Sequence, residues 1–82
     1  MILDRASQAS GLPISTITGR KRTTDVCMVR WAIMDVLRAQ GMSLSAIGRL
    51  LHRDHSTVIS GLRRVDGLSG HEKFSEIRSS IA

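Results

Sequence analysis

Ser43–Val65, SLSAIGRLLHRDHSTVISGLRRV, is the stretch that decides the fold of this 82-residue chain. Two short apolar-periodic segments flank a polar break, with Leu44, Ile47, Leu50 and Leu51 in the first and Val58, Leu62 and Val65 in the second. Spacings of three and four residues put each set on one face of a helix. Ser43 has the side-chain oxygen to cap the first segment, His52-Arg53 makes the turn, and Asp54 starts a helix running to about Asp66. A support helix, a tight turn and a second helix opening on hydrogen-bonding side chains form a helix-turn-helix.

Working upstream, Asp25–Gln40 is the longest periodic stretch, with Val26, Val29, Ile33, Val36 and Leu37 on one face and Gly41 as its stop. Thr23 or Thr24 is expected to cap it through the side-chain oxygen. Arg30 and Arg38, eight apart, are expected to share another face with Arg22. Before this helix lies the basic run Arg20-Lys21-Arg22, in a loop. Residues 2–10 have helix-forming composition and stop at Gly11 and Pro13, and Ile14–Thr18 forms a short segment ending at Gly19. Downstream, Gly67 and Gly70 break the pattern, and Phe74, Ile77 and Ile81 space a short helix within 71–82. Nothing alternates over enough residues to make a strand. The expected fold is all-α, a small helical bundle forming a single domain over 1–82, with its motif at 43–66.

The charge of +5 and pI of about 11.1 call for an anionic partner. Residues 1–19 and 67–82 are each neutral, so the whole excess lies between Arg20 and Asp66. Concentration of this kind is the footprint of a phosphate-binding surface. Cys27 is the single cysteine, which excludes an intrachain disulfide and favours a reducing compartment. Asp4, Arg5, Ser7 and Gln8 interrupt any apolar leader, so neither a signal peptide nor a membrane span is expected, and a cytoplasmic location is.

His55, Ser56 and Thr57 occupy the first turn of the second helix, with Ser60 one turn on, away from the buried stripe. That turn enters the major groove in this motif, where His and Ser donate or accept and the Thr methyl meets thymine. Arg63 and Arg64 follow where phosphates would lie. Asp54 is also suited to capping, a purely structural use that leaves the neighbouring basic residues unexplained. Asp54-His55-Ser56 lists triad residues, yet helix neighbours point about 100° apart and form no relay. His52, His55, His71 and Cys27 lack paired metal-ligand spacing. No enzyme activity, metal or cofactor is therefore expected. Cys27 is expected in helix packing, and Trp31, off the main stripe, against another helix.

The hexad Arg53-Asp54-His55-Ser56-Thr57-Val58, with Ile47-Gly48 before it and Arg63-Arg64 after it, resembles the C-terminal double-strand DNA-binding domain of DnaA, the bacterial replication initiator. The likeness extends through the basic run and long helix over about residues 5–66 and implies a Trp-repressor-like bundle. It implies base reading in the major groove by Asp54, His55, Ser56 and Thr57, with Arg22 in the adjacent minor groove. It also implies backbone positions for Arg30, Arg38 and Arg53; Arg20, Lys21 and Arg64 join these as phosphate contacts, and Ser60 joins the base readers. Three departures stand out: a turn one residue shorter with His52 in place of glycine, Ser56 where Thr offers a methyl, and Ser60 where the initiator often has His. No Gly-rich loop ending in Gly-Lys-Ser/Thr occurs in these residues. The expected function is sequence-selective duplex binding in a bacterium or bacterial virus, most simply as a transcriptional regulator. The rivals are a replication modulator occupying origin sites, an interaction module docking on RNA polymerase or the initiator, and a recombinase fragment. Target sequence and oligomeric state are left open.

Overall fold

The apolar periodicities become helices in a computed structural model that describes residues 1–68 and 70–82. Among the described residues there are six: α1 (Ile2–Ser10), α2 (Ile14–Ile17), α3 (Thr24–Ala39), α4 (Leu44–Leu51), α5 (His55–Asp66) and α6 (Glu72–Ile81), with no strand. The all-α bundle read from the sequence is the architecture found.

The hub is α3, which packs against each of the other five helices. Its expected stripe is buried (Val26, Val29, Ile33, Val36 and Leu37), but so are Met28, Ala32 and Met34. A helix with neighbours on several sides buries more than one stripe. On one flank α1 and α6 pair and bring Ile2, Leu3, Ala6, Phe74, Ile77 and Ile81 to the core. On the other flank α4 and α5 pair and contribute Ile47, Leu51 and Val58. Removing each such aliphatic side chain from water contributes about 1.5–3 kcal/mol.

The α6 helix closes the bundle where the tail sequence suggested it. His71 caps it, its Nδ1 accepting the Phe74 N–H at 3.4 Å. Two ion pairs tie it to α3, Lys73 to Asp25 at 2.8 Å and Arg78 to Asp35. Thr23 takes the N-cap position of α3 with extended backbone, but its hydroxyl makes no cap bond, contrary to expectation.

Glycine fixes how closely α5 approaches α3. A Cβ on Gly61 would run into Met34 Sδ and come within 2.9 Å of Trp31 Cδ1. In mid-helix a glycine costs about 1 kcal/mol relative to alanine, and close contact between these two helices is what offsets it.

Candidate nucleic-acid interface

The turn between α4 and α5 is three residues long, His52-Arg53-Asp54. His52 adopts the left-handed conformation, φ 56°, and is the only described non-glycine residue to do so. It ends α4 in a double bond pattern: its own N–H donates to Arg49 O, and the next N–H, of Arg53, donates to Gly48 O at 2.7 Å. Position 48 carries no side chain for a steric reason, since a Cβ there would strike the Arg53 carbonyl. Asp54 caps α5 with one oxygen, Oδ1, which accepts both the Thr57 N–H and the Thr57 hydroxyl at 2.9 Å. These two bonds, the backbone one first, hold the Asp54 carboxyl below its ordinary range. Thr57 therefore spends its hydroxyl proton within the helix cap and offers outward an acceptor lone pair and a methyl.

His55, Ser56, Thr57 and Ser60 are exposed, while Val58 between them is fully buried. Half-buried Leu62 and Val65 pack against the core, as the stripe requires. Farther along, Arg64 lies over the face of Trp31, its guanidinium carbon 5.9 Å from the ring centroid. Trp31 thus packs on α5, as expected of a side chain off the main stripe.

The basic loop between α2 and α3 lies beside α5. Between them runs a groove of about 520 Å³, lined by Arg20, Arg22, Arg53 and Arg64 together with Thr57 and Ser60. Trp31, Met34, Cys27 and Gly61 form its wall, with Arg30 also bordering it. Residues more than forty positions apart in the chain come together here with four guanidinium groups at the rim. Among the described residues none of these four arginines makes an ion pair.

One expected phosphate contact is placed differently, and another lies apart from the groove. Arg30 is not on an exposed face: it is 4% accessible. Its Nε donates to Ile17 O at 2.6 Å, Nη1 to Lys21 O at 2.6 Å, and Nη2 to Thr16 O and Gly19 O at 3.0 and 2.8 Å. The planar guanidinium suits this because it presents five donors at fixed angles to carbonyls that end a short helix and shape the loop after it. Burial, followed by the nearby Arg53 charge, lowers its pKa from the ordinary value. Helical periodicity alone put Arg30 outside, since a loop folded back over that face was not visible in it. Arg38 is exposed at the far end of α3, about 21 Å along the axis from Thr24, and does not line the groove. Lys21 is exposed next to the groove, and Asp54, His55 and Ser56 sit at the α5 end beyond its lining.

Arg53 lies in the turn, as expected, and also reaches the basic loop. Half-buried, it donates through Nη1 to Leu51 O and His52 O at 3.1 and 3.2 Å, and through Nη2 to Gly19 O in the basic loop. Gly48 and Gly61 were the informative residues that periodicity passed over; a glycine inside a helix, at a cost in propensity, was the available signal.

A helix-turn-helix with an exposed polar first turn on its second helix, flanked by unpaired arginines, defines the class: a DNA-binding domain. The particular family follows from sequence, for the model described as Bacterial dnaA protein helix-turn-helix matches residues 1–65. The chain belongs to that family, and its partner is double-stranded DNA. No curated protein matches it in sequence. Among the described residues no helix is long and apolar enough to cross a membrane.

Proposed function

We propose that the chain reads duplex DNA sequence-selectively through two adjacent grooves. The first turn of α5 enters the major groove with Asp54, His55, Ser56 and Thr57, and Ser60 one turn on. Arg22 enters the neighbouring minor groove. Phosphates are held by Arg20, Lys21, Arg53 and Arg64 around the groove, with Arg38 at a separate point. Arg30, buried beneath the loop, holds the loop's shape and leaves phosphate binding to the others. Residues 1–82 act as one unit with no catalytic step. The setting is the nucleoid of a bacterium or the genome of its virus, and site occupancy regulates transcription, a role that requires nothing beyond binding.

The observation that carries this reading is the groove of about 520 Å³, where the basic loop and α5 face each other and, among the described residues, no carboxylate pairs with its rim arginines Arg20, Arg22, Arg53 and Arg64. Phosphate contacts that position and base contacts that specify are supplied by different residues, as such recognition requires. Selection from random duplexes yields the preferred site. On it, log affinity against log salt is expected to fall with a slope near roughly −4, the value for four or five phosphate contacts. His55→Ala is expected to cost about 1–3 kcal/mol on that site with little change on random DNA. A slope near zero rejects DNA binding by this surface, and equal losses on both DNAs reduce His55 to a positioning role.

A further inference from the structure

The Gly19 carbonyl receives two guanidinium groups that arrive from different parts of the fold. Arg30 Nη2 reaches it from the middle of α3 at 2.8 Å, and Arg53 Nη2 reaches it from the helix-turn-helix turn. Arg30 also grips Thr16 O, Ile17 O and Lys21 O, so the loop is held on both sides of Gly19. Arg53 in turn holds Leu51 O and His52 O, the carbonyls where α4 ends. Position 19 itself accepts no side chain: a Cβ would come within 2.6 Å of Ser15 O, a backbone atom that cannot swing aside. A run of exposed arginines is ordinarily a mobile arm, yet this one is pinned through its carbonyls at both ends.

We infer that Arg30 and Arg53, joined at the Gly19 carbonyl, are positioning residues that fix the distance between the basic loop and α5, and so fix the spacing of the two DNA segments read. The inference rests on the two-groove reading above and adds to it a rule about the site. The A·T-rich flank met by Arg22 must lie at one set distance from the core met by His55 and Thr57. A flexible arm would follow the flank when it moves; a pinned loop would not. Because the bonds go to neutral carbonyls, no opposite charge cancels either arginine while it serves as a strut. Lysine at position 53 would keep that charge but cannot donate at once to Leu51, His52 and Gly19 carbonyls from one planar fork.

The test compares duplexes in which the A·T flank is at its selected position or shifted by one base pair, against matched G·C flanks. One base pair moves the flank about 3.4 Å and turns it by about one tenth of a helical turn. Wild-type protein is expected to favour A·T over G·C flanks by roughly tenfold at the selected spacing and to lose that preference after the shift. Arg53→Lys, with its helical content checked by circular dichroism, is expected to lose the flank preference at the selected spacing and still discriminate core mismatches. Retention of the preference by wild type after the shift, or by Arg53→Lys at the selected spacing, overturns the strut. Absence of any flank preference in wild type that depends on Arg22 overturns the minor-groove assignment, and the strut falls with it. The wild-type comparison stands even if the variant fails to fold.

Discussion

The two flanks of α3 treat their cations in opposite ways. On the α1–α6 side, Lys73 and Arg78 each meet a carboxylate of α3, Asp25 and Asp35, and their charges cancel. On the α4–α5 side, Arg30 and Arg53 are satisfied by seven bonds to six carbonyls, four from α2 and the loop after it and two from the end of α4 and the turn, with Gly19 shared. Carbonyls satisfy the donors without cancelling the charge. One flank therefore closes a core, and the other organises a surface that keeps its positive potential for phosphate. Of the basic stretch between Arg20 and Asp66, Arg20, Arg22, Arg30, Arg53 and Arg64 come together at one groove.

Replacing one arginine on each flank with methionine should affect the two flanks unequally. Arg30→Met is expected to cost about 3 kcal/mol or more, because it leaves carbonyls beneath the loop without their charged donor. Arg78→Met is expected to cost about 1 kcal/mol or less, the range of a partly exposed ion pair. Denaturant titrations of both proteins decide the matter, and equal losses would erase the distinction between the flanks. Gly61→Ala comes next. The added methyl forces Met34 and Trp31 apart where α5 crosses α3 and is expected to lower stability by roughly 1–3 kcal/mol, despite better helix propensity. If its melting temperature does not fall, α5 is less closely seated than the structure shows.

His52→Gly runs the other way. Relieving a left-handed non-glycine residue is expected to raise stability by about 0.5–1 kcal/mol, part of the gain being offset by the extra freedom glycine gives the unfolded chain. A thermal melt that does not rise would mean the His52 side chain contributes more than its backbone costs. The smallest effect concerns acid. The folded-state pKa of Asp54 is depressed by its Thr57 bonds, so its cap stabilises fully above the unfolded carboxylate value of 3.8 and is lost as pH falls through the lower folded value. Asp54→Asn keeps a cap without a titrating group. The gap in stability between the two proteins should therefore change only in that acid window, as acid melts would report.

The bounds of α1, α4 and α6 were legible because each begins or ends on residues whose chemistry is local: Ser43 as a cap, glycine or proline as a stop, and apolar residues three and four apart. The exposed polar residues of α5 were legible for the same reason, being those left over once the Val58 stripe faces inward. The burial of Arg30 was not. Helical spacing gives a direction around an axis but not what covers that direction, and here the loop after α2 covers it.

The Arg53–Val58 hexad, with the segments on either side of it, determined by itself that this chain folds as a helix-turn-helix and belongs among DNA-binding domains. Caps, periodicity and charge act over a few residues and survive in any alignment of one turn with the next. Only the tertiary structure decided which arginines remain available to DNA. That choice depends on carbonyls brought together from Thr16 to His52, and a guanidinium binds whichever acceptors the fold delivers to it.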